Sequence, residues 1–369
     1  MKTAATEMFG LDIPVFAFSH CRDVVVETSR SGGMGVLGCT YHSPDQLRRE
    51  LDWIERHVEG RPYGIDVLLP AAYARIETPR ITLGDIPKEQ SEYLRHYLDQ
   101  AGIPRLPEGQ ADELIMTEVS RLNMTREQAA ALVDVALEYP IRLIVNALGA
   151  PPVEMVERLH KAGVKVGGMV GKVEHARRHV AAGVDILVAQ GMEAGGHTGD
   201  ITSMILWPQV VDAVAPVPVL AAGGVGNGRQ MAAALALGAE GVWCGSIWLG
   251  TRESDLTSDM KQRLFEAEAE NAIQSKARTG KKCRLLDSKL IQAWNQKDAP
   301  DTLPLPLQTA TVLESYLRVE RARAHEWLSC PVGQVVGQMQ HEMTVKQVIF
   351  ELLSEFADAS ERMAGIVEG

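Results

Sequence analysis

Between Val184 and Gly199 the chain reads VDILVAQGMEAGGHTG. In its glycine-dense half, Glu193 and His197 are the only side chains that could move a proton near neutral pH. An imidazole changes charge roughly between pH 5 and 8, which suits His197 to general-base work. Gly195 and Gly196 carry no Cβ, so the backbone there can approach a flat ligand closely. Glu193 either orients His197 or stands as a solvated loop carboxylate, and its place four residues away on a loop favours the second. The competing reading of the whole stretch is a tight turn with a surface histidine.

The elements that would hold such a loop follow a repeat. Val184 to Ala189 is a near-continuous apolar run, short enough for a buried strand. In parallel α/β folds, chemistry sits on the loops after the C-terminal ends of strands. Further strand candidates are Ile13 to Ser19, Gly35 to Cys39, Tyr63 to Leu69, Ile141 to Ala147, Val164 to Val170, Val217 to Ala222 and Glu240 to Gly245. Helical patterns separate them, including one over Pro208 to Val214. Ser43-Pro44-Asp45-Gln46 and Thr125-Arg126-Glu127-Gln128 read as capping boxes. Gly163, Gly183 and Gly238 each close a helix just before a strand.

This alternation predicts a (β/α)8 TIM barrel rather than an open doubly wound sheet. No GxGxxG follows the first strand, which argues against a Rossmann domain. Pro70 to Asn123 breaks the repeat and reads as a helical insertion after strand three, with helices near Glu89 to Gln100 and Ala111 to Leu122. After Thr251 the strand signal fades. Helices are expected over Ser258 to Gln274 and Thr311 to Leu328, and Thr344 opens a last one with Gln347 in the box position. The expected organisation is a barrel over 1–253 carrying the insertion 70–123, then a helical C-terminal segment over 254–369 packed on it as a cover.

Composition narrows the function. The 369 residues are 46% apolar, enough for a sizeable core. A formal charge of −11 repels phosphate backbones, so nucleic acid is not an expected partner. The five cysteines are scattered without a CxxC pair, which argues against a disulfide framework or zinc site and for a reducing cytoplasm. No membrane span and no secretory leader are expected, because no apolar run reaches ~18 residues and the N-terminus lacks an apolar core.

Many barrels bind a phosphate on the loops after strands seven and eight. Strand seven here runs into Ala222-Gly223-Gly224-Val225-Gly226-Asn227-Gly228, and strand eight into Cys244-Gly245-Ser246. The backbone N–H groups of Gly223, Gly224, Gly245 and Ser246 could converge on a phosphate dianion, with the Ser246 hydroxyl as a further donor. Facing a glycine loop after strand six, such a phosphate fits a flavin mononucleotide (FMN) over the barrel mouth. The alternative is that these glycines only make tight turns.

GMEAGGHTG, followed by PVLAAGGVGNGRQMAAALALGAEGVWCGS, resembles the nitronate monooxygenase family (formerly 2-nitropropane dioxygenases) and the related flavin-dependent enoyl-ACP reductases. The match is strongest from Val164 to Arg252. The resemblance implies bound FMN, with His197 as the catalytic base and Gln190 beside the flavin ring. It places Gly195 and Gly196 along the flavin, and Gly223, Gly224, Gly245 and Ser246 on its phosphate. It also implies ring contacts from the end of the first strand. There the family's QxPM-type segment is replaced by Phe16-Ala17-Phe18-Ser19, so Ala17, Phe18 and Ser19 become the contacting residues. A family asparagine segment reads Gly64-Ile65-Asp66-Val67, and a serine segment reads Val145-Asn146-Ala147-Leu148-Gly149. These departures bear on substrate more than on cofactor.

The reaction implied is oxidation of a small nitronate or nitroalkane with O2. His197 takes an α-proton or orients an anion already formed. No metal is expected, since no His or carboxylate spacing resembles a ligand set. One alternative is an NAD(P)H-dependent flavin reductase of enoyl thioesters or quinones. Others are a flavin-binding protein without efficient catalysis, and a non-flavin barrel for a phosphorylated metabolite. Homo-oligomerisation is left open.

Overall fold

Eight parallel strands close on themselves in chain order: β1 (Val15–Ser19), β2 (Met34–Gly38), β3 (Tyr63–Val67), β4 (Leu143–Asn146), β5 (Lys165–Val170), β6 (Ile186–Gln190), β7 (Val219–Ala222) and β8 (Gly241–Cys244). β1 makes the closure by pairing with both β2 and β8, Phe16 opposite Trp243 and Ala17 opposite Cys244. The computed structural model describes residues 1–69, 83–107, 109, 111–120 and 126–368. The strands read as apolar runs because both faces are covered. Val15, Ala17, Leu37 and Ile65 face the helices, while Phe16, Met34, Val36, Val145, Val188 and Leu220 fill the barrel. The TIM barrel expected from the repeat is therefore the fold.

Local signals act where the sequence puts them. Ser43 Oγ accepts from Gln46 N, and Gln46 Oε1 accepts from Ser43 N at 2.8 Å, with Pro44 in the first turn. The Thr125 box lies outside the described residues. Gly163, Gly183 and Gly238 have φ of 75°, 90° and 91°, the left-handed region that ends a helix cheaply only at glycine. The helix expected to start at Pro208 begins at Ser203 instead and runs to Val214 with Pro208 inside it. Its first turn is held from outside, because the Glu193 carboxylate accepts from Ser203 N.

Within the insertion, helices Lys88–Gln100 and Ala111–Ser120 pack on helix Leu307–Arg321 of the C-terminal part. Leu94, Leu98 and Ile103 share an apolar cluster with Met260, Leu264, Val319 and Leu328. Arg318 pins this contact. It is 1% exposed and donates to Asp99 Oδ1 at 2.7 Å, Ile103 O at 2.5 Å and Pro104 O at 3.0 Å. Hydrogen bonds from Arg105 and then Arg318 hold the Asp99 carboxyl down at about 2. A depressed carboxyl stabilises the fold fully above its unfolded value of ~3.9 and loses that contribution as pH falls toward 2. Asp99→Ala should therefore cost about 2 kcal/mol in urea unfolding at pH 7, the scale of hydrogen bonds to a charged group. The gap from wild type should narrow as pH drops below 5. A gap that is independent of pH would contradict the pairing.

The C-terminal part departs from the all-helical expectation. The helix expected over Ser258 to Gln274 ends at Phe265. Beyond it β9 (Ala272–Ser275) pairs antiparallel with β10 (Cys283–Leu286). Gly280, at φ 76°, sits in the connecting turn. The last helix, Val345–Glu368, starts at the expected box, where Thr344 N donates to Gln347 Oε1 at 2.8 Å. It lays Ile349 and Leu352 into the core beside helix Gly228–Ala236. Among the described residues no helix is long and apolar enough to cross a membrane.

Candidate active site

The C-terminal ends of the strands open into a cavity of about 1560 Å³. The loop after β6 enters it under tight control. Gly191 N donates to Ala222 O of β7 at 2.9 Å, and Met192 N to Ile201 O at 2.8 Å. Gly196 and Arg284 of β10 exchange backbone hydrogen bonds of 2.9 and 2.7 Å, an isolated antiparallel bridge that ties the hairpin to the glycine loop. Arg284, 5% exposed, donates Nε to Met192 O at 3.0 Å and Nη1 to Ala272 O. Burial draws its guanidinium below the ordinary value, and the Glu193 carboxylate acts against that.

His197 stands exposed at the end of this loop and lines the cavity. Its Nδ1 lies 2.9 Å from Lys282 O, just before β10. A carbonyl can only accept, so Nδ1 carries a hydrogen, and in the neutral imidazole the lone pair is left on Nε2. Glu193 does not touch the imidazole, and it is not a freely solvated carboxylate either. It accepts from Ser203 N at 3.0 and 3.1 Å and from Ser203 Oγ at 2.8 Å, tying the loop to the following helix.

Gly223, Gly224, Gly245 and Ser246 follow the paired strands β7 and β8, where Ala222 lies opposite Trp243, and all four line the cavity. Among the described residues, none of their four backbone N–H groups donates a hydrogen bond. Gly223 and Gly224 hold φ of 87° and 77°. Ser246 Oγ accepts from Gly333 N at 2.8 Å, leaving its own hydrogen free to donate. The start of helix Gly228–Ala236 is not part of this cradle, because Glu355 Oε2 accepts from Gly228 N and Gln230 Oε1 from Gly226 N.

The remaining expected residues divide. Gln190, Gly195 and Gly196 line the cavity. At Gly195 a Cβ would come within 2.8–2.9 Å of the Val332–Gly333 backbone, so the glycine is required by packing against the C-terminal strap. Phe18 and Ser19 line the cavity, whereas Ala17 is buried in the wall facing the helices. Phe18 stacks at 6.1 Å on Trp243 and meets His20 edge-on at 5.2 Å. Sequence reasoning missed Lys282, Arg284 and Gly333. The signal for the first two was the alternating apolar run Cys283, Leu285 after a Thr-Gly turn, the mark of a hairpin.

Asp66 of β3 lines the cavity at 3% exposure, and among the described residues its Oδ2 has no hydrogen-bond partner. Burial pushes this carboxyl well above the usual carboxylate range. Below ~3.9 folded and unfolded chains both carry the proton; above it only the unfolded chain ionises readily, so stability falls as pH rises. Asp66→Asn removes that titration. Its melting temperature relative to wild type should climb from pH 5 to pH 8, and a constant difference would show that Asp66 is not held neutral.

The fold is a (β/α)8 barrel whose amides at the seventh and eighth strand ends have no partner among the described residues and whose loop after the sixth strand carries a histidine bonded through Nδ1. A sequence profile of the nitronate monooxygenase family matches residues 19–355. The chain belongs to that family and is an oxidoreductase. A Mycobacterium tuberculosis protein provisionally named a monooxygenase is 43% identical over 100% of both chains. A Staphylococcus saprophyticus protein provisionally named nitronate monooxygenase is 27% identical over 92% of this chain and 94% of that one. Among solved structures, nitroalkane oxidase from Streptomyces ansochromogenes superposes with a TM-score of 0.78 at 25% identity, covering 98% of this chain and 100% of that one. FabK from Thermotoga maritima gives 0.74 at 24% identity over 99% of each chain, a likeness of fold.

Proposed function

We propose that the protein is an FMN-dependent nitronate monooxygenase, acting on nitronates and nitroalkanes with O2 in the cytoplasm. The observation that carries this is the pairing of His197, pinned at Nδ1, with four unpartnered amides across the same cavity. Those amides and the Ser246 hydroxyl suit a phosphate dianion, and among the described residues no adenine-binding unit accompanies them, which favours FMN over FAD. When bound, FMN would supply the electron transfer and the reaction with O2.

The chain's own residues handle the proton and the substrate. His197 Nε2 accepts the α-proton of a nitroalkane, and the imidazolium so formed stays anchored through Nδ1–H to Lys282 O. Its charge then faces the nitronate it has produced. The Gly196–Arg284 bridge and the Gly333–Ser246 bond tie the hairpin and the Val332–Gly333 segment to the loops that line the cavity. Heating or acidifying the purified protein should release FMN, and release of FAD or of no flavin would contradict the cofactor assignment. Rapid NAD(P)H oxidation with an enoyl thioester or quinone would instead favour a flavin reductase.

A further inference from the structure

A cavity of about 1560 Å³ exceeds the roughly 300–1,000 Å³ that suits one drug-sized ligand, leaving room for a cofactor and a second molecule of similar size. Part of it is apolar. Met260, Val319 and Leu328 line it from the cluster that joins the insertion to the C-terminal part, and Leu249 and Leu256, packed against that cluster, line it as well. Beside this limb lie polar side chains that make no ion pair among the described residues.

Arg278, in the turn between β9 and β10, places its guanidinium 4.5 Å from the Tyr316 ring centroid. It lines the cavity and makes no ion pair among the described residues. The Asp255 carboxylate lines the same cavity without pairing with it. Tyr316 and Thr309 also line the cavity, and their hydroxyl oxygens are enclosed behind it with no hydrogen-bond partner among the described residues. Thr309 and Tyr316 are seven residues apart on helix Leu307–Arg321 and so share one face. Gln308 Nε2 donates to Ala277 O at 2.6 Å, fixing the Arg278 turn against the start of that helix. A guanidinium left unpaired beside enclosed hydroxyls is costly unless an acceptor-rich group completes them.

We propose that Arg278, Tyr316 and Thr309 form an oxyanion subsite of the substrate pocket, so that the substrate is an amphiphile with an apolar chain on the leucine-lined limb and a carboxylate or phosphate on these donors. The inference rests on the flavin-site reading above for its place beside the reacting centre. Its test is a binding measurement that needs no turnover, so failure of the nitronate chemistry is read separately.

Isothermal titration calorimetry of the purified holoenzyme with octanoate, octyl phosphate and 1-octanol reads the subsite directly. An oxyanionic probe should bind at least about tenfold tighter than the alcohol, and the tighter of the two anions names the group. Arg278→Met should abolish that preference without changing octanol affinity. Tyr316→Phe and Thr309→Val, which keep shape, should each reduce it in part, and these guard against a folding defect in the arginine variant. Equal binding of octanoate, octyl phosphate and octanol to wild type would overturn the proposal. So would an Arg278→Met protein that binds the anions as wild type does, or one that loses its flavin, which would assign the guanidinium to the cofactor.

Discussion

His197→Asn should lower kcat/KM for a neutral nitroalkane by about 10²–10⁴-fold with flavin still bound, the usual contribution of a general base. Asparagine can still donate to the Lys282 carbonyl, but it offers no basic nitrogen. The loop itself should persist, because the Gly196–Arg284 bridge is made by backbone atoms. With a pre-formed nitronate, which has already lost its α-proton, the fall should be much smaller. An equal fall for both substrate forms, at equal flavin content by absorbance, would leave His197 a binding residue and remove it as the base.

Gly224→Val should weaken FMN binding at least about tenfold, since a left-handed φ costs an L residue roughly 1–2 kcal/mol and 1.4 kcal/mol is tenfold. Space is not the obstacle: a Cβ at Gly224 would find its nearest neighbour, Glu193 Cβ, at 3.7 Å. The obstacle is φ of 77°, which a β-branched residue resists. Relaxing that angle swings an N–H away from the mouth. Gly223→Val should be worse and should also lower the melting temperature, because its Cβ would lie 2.9 Å from Gly191 O. FMN titration by fluorescence quenching, with circular dichroism as the fold check, separates the two. Full flavin retention by Gly224→Val at low micromolar protein would show that Gly224 does not face the phosphate.

The barrel could be read from sequence because its determinants are local. Strands covered on both faces become short apolar runs, and Gly163, Gly183 and Gly238 mark helix ends through a single backbone angle. The hairpin could not be read so easily, since β9 (AIQS) buries only Ala272 fully and shows weak alternation. His197 could be singled out by residue type, but its partner could not, because Lys282 is 85 residues further along the chain. Glu193 illustrates the same limit. Spacing separated it correctly from His197, yet its grip on Ser203 depends on where the loop turns back. Gly195 was expected to make room for a flat ligand, and what its missing Cβ makes room for in the structure is the backbone of Val332 and Gly333.

Oxygen consumption by the flavin-loaded enzyme, supplied with a pre-formed nitronate and no NAD(P)H, tests the central claim most directly. The account predicts steady turnover with O2 uptake that requires the nitronate and gains nothing from added NADH. Absence of uptake from flavin-replete protein, together with rapid NADH oxidation on addition of an enoyl thioester or a quinone, would contradict it and identify a flavin reductase on the same barrel.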